Sequence, residues 1–144
     1  MGTIRIGIAG GAGYTGGELL RILINHPHAE ICWIHSNSNA GKPISDVHAD
    51  LFGDTDLKFT DSISQDIDVL FLCVGHGDAK KFLDSHEIEG GIKIIDLSQD
   101  FRLSPNATHG SRSFVYGLPE LNRDAIKMAH NIANPGCFAT GIQI

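Results

Sequence analysis

Apolar residues along the chain change their spacing several times, and each change marks an element. Ile4, Ile6 and Ile8, with Ala9, form a short β-branched run ending in a glycine cluster, which predicts a strand entering the middle of a sheet. From Tyr14 to Asn25 the residues Leu19, Leu20, Leu23 and Ile24 recur at helical spacing until Asn25-His26-Pro27 stops them. Glu30 to His35 reads as strand again, so strand, glycines, helix and strand follow one another within about thirty residues, the order of a parallel βαβ unit. Asp68 to Val74 predicts a buried strand, Asp78 to Ser85 a helix and Ile92 to Leu97 a further strand. Residues 98 to 122 keep no period and contain Pro105, Gly110, Gly117 and Pro119; an irregular stretch of that length in a compact domain is usually functional. A helix over Arg123–Ala129, a short strand over Asn131–Ala133 and the start of a helix at Cys137 complete the pattern.

The glycines between the first strand and helix give this alternation a chemical meaning. Gly11-Ala12-Gly13-Tyr14-Thr15-Gly16 matches G-x-G-x-x-G, and Gly10 adds the overlapping run Gly10, Gly13, Gly16. In this context glycines permit a tight turn and close backbone approach, while the helix start offers unpaired N–H groups to a pyrophosphate. The fold expected is α/β, a Rossmann-like doubly wound, mainly parallel sheet with helices on both faces. About twenty residues past the glycines an NAD-preferring site places an acidic residue on the ribose. Here the segment is His35-Ser36-Asn37-Ser38-Asn39-Ala40-Gly41-Lys42. Its Ser36, Asn37, Ser38 and Lys42 would meet a 2′-phosphate without carboxylate repulsion, which favours NADP; the same composition also suits a plain solvated loop.

Composition narrows the class. With 144 residues, 42% of them hydrophobic and 19% charged, the chain resembles an ordinary globular domain, and one domain spanning 1–144 is expected. A net charge of −6 without any Lys/Arg cluster argues against nucleic acid. The strongly apolar run Val69–Val74 is too short to span a bilayer and no secretory pattern opens the chain, so the cytoplasm is expected. Three cysteines, Cys32, Cys73 and Cys137, suggest neither a disulfide framework nor a zinc site, and the eight histidines are scattered, so no metal is expected and most histidines should be solvated. The last helix-like residues reach Ile144 with no terminator, which suggests the N-terminal piece of a longer protein.

Asn134-Pro135-Gly136-Cys137 puts a cysteine after a turn and at the start of a helix. Unpaired N–H groups and the positive helix end favour a thiolate there. Beside a nicotinamide, such a thiolate suits attack on an activated acyl group to give a thioester that hydride reduces. Spacing alone is equally compatible with a small buried cysteine. Cys32 and Cys73 fall inside predicted strands and read as core.

Taken together, several motifs resemble those of the N-acetyl-γ-glutamyl-phosphate reductases, the NADP-dependent acyl-phosphate reductases of arginine biosynthesis. They are Gly10 to Gly16 with Glu18-Leu19, Ala40-Gly41-Lys42, His76-Gly77, Asp96 to Leu103, Tyr116 to Leu121 and Asn134 to Cys137. The resemblance implies that Cys137 is the nucleophile, that His76 and Gly77 line the nicotinamide side, and that Ser98, Asp100 and Arg102 belong to the active-site scaffold. Ser98, Arg102 and Asn134 become candidate substrate contacts. Arg102 could bind phosphate bidentately or equally form a buried ion pair with Asp100 or Asp96, and His76 could act directly or merely fix a turn. The resemblance also implies a homo-oligomer, and a general acid/base histidine in a second domain outside this chain. Many relatives carry an arginine near the position of Asn37. Aspartate-semialdehyde dehydrogenases and the aminoadipyl-phosphate enzymes of lysine synthesis would share the loop and the cysteine. A non-catalytic NADP module sensing redox state through Cys137 is the alternative from another class.

Overall fold

The computed structural model describes residues 2–144. Strands β1 (Ile4–Ala9), β2 (Ala29–His35), β3 (Val69–Leu72), β4 (Lys93–Asp96), β5 (Thr108–His109), β6 (Arg112–Tyr116) and β7 (Asn131–Ala133) form one sheet in the order β2-β1-β3-β4-β7-β6-β5. Every pairing is parallel except that of β5 with β6. Four helices connect or follow the strands: α1 (Tyr14–Leu23), α2 (Asp78–Ser85), α3 (Pro119–Met128) and α4 (Cys137–Gln143).

Alternation along the strands fills two cores, which is why helices can cover both faces. Ile6 and Ile8 of β1 pack with Leu20 and Leu23 of α1, together with Ile34 and Phe59. On the other face, Leu70 and Leu72 of β3 pack with Ala79 and Phe82 of α2, and with Trp33, Ile94, Phe101 and Phe114. The chain leaves β1 toward β2 on one side, and β3 takes the opposite side, so the sheet order reverses at β1. The carboxyl ends of β1 and β3 therefore open onto a crevice, the place where open α/β sheets bind ligands.

The predicted α/β elements agree with these over the first half, with boundaries shifted by a few residues at most. The stretch 98–122 is where expectation and structure part. It contains the β5–β6 hairpin and the first turn of α3. Only Phe114 of β6 is buried, so no alternating pattern marks this strand. Its place comes from pairing with β7 and from Phe114 stacking on Phe101 at 4.1 Å between ring centroids, both contacts distant in sequence. Helix α3 starts at Pro119, an N-terminal position that proline favours, and is kinked at Asn122, whose side-chain amide donates to the Tyr116 carbonyl. The apolar pattern becomes helical only beyond that kink. A further segment also escaped the sequence pattern: Thr60 pairs in parallel with His35, extending the sheet past β2.

Candidate active site

The glycine loop leaves β1 with its first two amides turned inward, where the N–H groups of Gly10 and Gly11 both donate to the His35 carbonyl. Gly10 holds φ +77°, and a Cβ there would sit 2.5 Å from the Cys73 carbonyl oxygen; at Gly16 a Cβ would lie 2.7–2.8 Å from the backbone of Gly10 and Gly11. Both positions therefore require glycine. The N–H groups of Ala12, Tyr14, Thr15 and Gly16 find no protein acceptor, and the Tyr14 side chain points into solvent. A cradle of unpaired N–H groups at a ten-residue helix fits an anionic pyrophosphate.

Beside the cradle lies a recess of about 340 Å³ lined by Gly10, His35, Ser36, Asn37, Val74, Asp78, Lys81, Phe82 and Ser85. Of the four residues expected near a 2′-phosphate, Ser36 and Asn37 line this recess, whereas Ser38 and Lys42 lie outside it. Lys42 instead donates to the Asn39 side-chain oxygen at 3.4 Å. The cation in the recess is Lys81, paired at 3.1 Å with Asp78, so the recess is not free of carboxylate. Spacing from the glycines could not reveal this pair, because it arrives from α2 on the other side of the crevice. His35 and His48 are the buried exceptions among histidines that are otherwise exposed or half-buried. Burial, and then the neighbouring His86, hold the His35 imidazole below its usual protonation range.

The larger opening, a cleft of about 880 Å³, lies at the same end of the sheet. Its wall brings Thr15 of the glycine loop and His76 of the β3–α2 loop together with Arg102, Asn134 and Cys137. Cys137 is exposed and is the first residue of α4, with Gly136 as its cap, so the open alternative of a buried core cysteine does not hold. Cys73 is the buried thiol; desolvation pushes it up to about 12, with Thr15 opposing. Gly117, Leu118, Pro119 and Glu120 also line the cleft. These residues stood in the aperiodic stretch, whose irregularity signalled function without singling out a side chain.

A buried polar chain supports the cleft from beneath. Asp96 and Ser98 are fully buried. The Ser98 hydroxyl donates to Asp96 at 2.8 Å and accepts from the Asp100 N–H, and Asp100 accepts from the N–H groups of Gly77 and Lys80 at 2.6 and 3.1 Å. Burial raises the Asp96 carboxyl above its usual range, with the two bonds from Ser98 opposing. Ser98, expected to contact substrate, has no surface to offer one. Gly77, expected at the cofactor, has its N–H engaged by Asp100, which fixes the loop, and is itself exposed. His76 accepts the Gln99 N–H at Nδ1, which leaves Nε2 as the hydrogen-bearing atom of the neutral ring in that bond.

Neither reading of Arg102 as an ion pair with Asp96 or Asp100 matches the structure. Its Nε donates to the Asn134 carbonyl at 2.9 Å and one terminal nitrogen donates to the Leu97 carbonyl at 3.0 Å. Arg102 thus ties the loop after β4 to the turn that presents Cys137, with its other terminal nitrogen beneath Gly136. Among the described residues no cluster of histidine, cysteine or acidic side chains could hold a metal ion, and no helix is long and apolar enough to cross a membrane.

Comparison with known proteins matches this architecture. Residues 5–129 fit the family model described as semialdehyde dehydrogenase, NAD binding domain. The chain is 57% identical over 142 residues to the N-acetyl-gamma-glutamyl-phosphate reductase of Bacteroides thetaiotaomicron and 59% identical over 143 residues to that of Bacteroides fragilis. In both cases 98% of this chain aligns with 43% of the relative, so the chain spans less than half the length of these proteins. The crystal structure of aspartate semialdehyde dehydrogenase with NADP from Candida albicans superposes with a TM-score of 0.65 at 16% identity, over 96% of this chain and 44% of that one, a likeness of fold. By its glycine cradle, its sheet order and the match over most of its length, the chain belongs to the semialdehyde dehydrogenase NAD-binding domain family.

Proposed function

We propose that residues 1–144 are the cofactor-binding half of a longer N-acetyl-γ-glutamyl-phosphate reductase, a cytoplasmic, homo-oligomeric enzyme of arginine biosynthesis. The observation that carries this reading is the cleft in which exposed Cys137 shares a wall with Thr15 of the glycine loop and with His76. Relatives more than half identical over nearly the whole chain support the acetylglutamyl substrate over the aspartyl and aminoadipyl ones.

The chain's own residues divide the work. The amides of Ala12, Tyr14, Thr15 and Gly16 would hold the pyrophosphate, and Ser36, Asn37 and Lys81 would meet the adenosine end. NADP(H) is favoured because Lys81 lies in the recess and residues 36–42 contain no acid. The Cys137 sulfur attacks the acyl carbon; a carbon–sulfur bond forms, the carbon–oxygen bond to phosphate breaks, and inorganic phosphate leaves. NADPH, when bound, supplies the hydride that such a thioester needs to become the semialdehyde. Arg102 and Asn134 hold the turn that carries Cys137 against the cleft, and His76, fixed by the Gln99 N–H at its Nδ1, lines it.

The test uses the full-length protein and phosphate-dependent oxidation of N-acetylglutamate semialdehyde by NADP⁺. Cys137→Ser should lower turnover by roughly 10³-fold or more, and only the unsubstituted protein should carry an acyl adduct on this residue by mass spectrometry. Exclusive turnover of aspartate semialdehyde would overturn the substrate, and full activity of the serine variant would overturn the mechanism.

A further inference from the structure

The glycine loop has a support that lies outside its motif. His48 stands at the head of the short helical turn Ala49–Leu51, in the segment between β2 and β3, and its imidazole is buried beneath the loop. Its Nε2 lies 2.7 Å from the Gly11 carbonyl oxygen. A carbonyl oxygen only accepts, so Nε2 carries a hydrogen and donates it. The seat is built from two sides. A Cβ on Gly17 would come within 2.7 Å of the ring, so α1 closes over the imidazole only because that position lacks a side chain. Asp50 accepts two bonds from the Arg21 guanidinium of α1, at 2.5 and 2.8 Å, which pins the turn carrying His48 to the helix.

The consequence lies in the next peptide. No peptide bond of the described chain is cis, and in a planar trans unit the C=O and N–H point in opposite directions. With the Gly11 oxygen drawn inward onto His48, the Ala12 N–H faces outward, and it has no protein acceptor. The two preceding amides, of Gly10 and Gly11, both face inward onto His35. The loop therefore turns its donors outward at the peptide that His48 holds, and Ala12 joins Tyr14, Thr15 and Gly16 in the cradle.

We propose that His48 is a positioning residue for the dinucleotide, fixing the Gly11–Ala12 peptide so that the Ala12 N–H donates to the pyrophosphate. The inference rests on reading the glycine loop as the NADP(H) site. Its test titrates the full chain with NADP⁺ and, separately, with 2′-AMP, which carries the adenosine end without a pyrophosphate, while the Ala12 amide is followed by NMR. His48→Leu should weaken NADP⁺ binding about tenfold and leave 2′-AMP unchanged. His48→Gln, which returns an amide donor near the place of Nε2, should recover most of the loss. In the unsubstituted chain NADP⁺ should move the Ala12 amide proton downfield and 2′-AMP should not, a readout that stands even if the leucine variant fails to fold. Unchanged NADP⁺ affinity in His48→Leu, equal losses for both ligands, or an unmoved Ala12 amide with NADP⁺ bound would overturn the role of His48 and leave the cofactor site standing. No binding of NADP⁺ by the unsubstituted chain would overturn both.

Discussion

At the ends of β1 and β2 the surface offered to a ligand is backbone, whereas at the ends of β4 and β7 it is side chains. The first mouth consists of outward N–H groups on a loop whose glycines exclude side chains, backed by His35 and His48 from within. The second consists of Cys137, Arg102, His76 and Glu120 around a cleft, held by the buried chain from Asp96 through Ser98 to Asp100. Backbone can recognise a phosphate because every residue carries the same donor, so that mouth needs only the correct dihedrals. A site made of side chains needs particular atoms at particular places, so the second mouth depends on partners far apart in sequence. Its outer wall also leaves Phe138 and Ile142 of α4 largely exposed, while the glycine loop leaves out only Tyr14 among its large side chains.

If the two mouths are independent, each should fail alone. The largest effect is expected from Gly10→Ala, which adds a side chain at φ +77° within 2.5 Å of the Cys73 carbonyl oxygen. Left-handed backbone and overpacking together should cost about 2–4 kcal/mol, seen by calorimetry as lost NADP⁺ affinity and by denaturation as lost stability, with the Asp96–Asp100 amides unshifted in NMR spectra. Ser98→Ala should cost about 1–3 kcal/mol of stability, because it removes the hydroxyl that donates to Asp96 Oδ2 and accepts from the Asp100 N–H, leaving Asp96 only the backbone N–H of residue 98. NADP⁺ affinity at the glycine loop should stay within about twofold, since the sites share no such partner; a larger loss would mean that the mouths are coupled through Gly77 and Lys80.

The smallest effect is a slope rather than a loss. Burial raises the Asp96 carboxyl in the folded chain above its unfolded value. The folded state therefore holds the proton more tightly, a contribution present below the ordinary carboxylate range and lost as pH rises through the raised value. Urea denaturation between pH 4 and pH 7 should show Asp96→Asn gaining on the unsubstituted chain as pH rises, whatever the offset between them at pH 4. Parallel curves would mean that Ser98 compensates the buried charge fully.

Legibility in the sequence follows the same division. The βαβ unit, the glycine loop, helix α2 and strand β7 were readable because each carries its own period or its own glycines. The β5–β6 hairpin was not, since β6 buries one residue and is held by β7 and by Phe101. Cys137 was readable as a residue after a turn, but only the structure decided between an exposed thiol and a core thiol. Arg102 does not form the ion pair that was one of its two readings, because the carbonyls of Leu97 and Asn134 converge on it once β4 and β7 pair. His48 carried no local signal, and the Asp78–Lys81 pair, readable as an i,i+3 pair on α2, carried none that placed it beside Ser36 and Asn37.

The amino-acid order alone determined which segments are strands and helices over the first half, where the glycine loop lies, and that a cysteine opens the last helix. Those properties depend on dihedral preferences and side-chain period, which act between near neighbours. Tertiary structure decided which polar groups are buried as braces and which face the cleft. A hydrogen bond depends on ångström distances between atoms tens of residues apart, and no spacing along the chain encodes those distances.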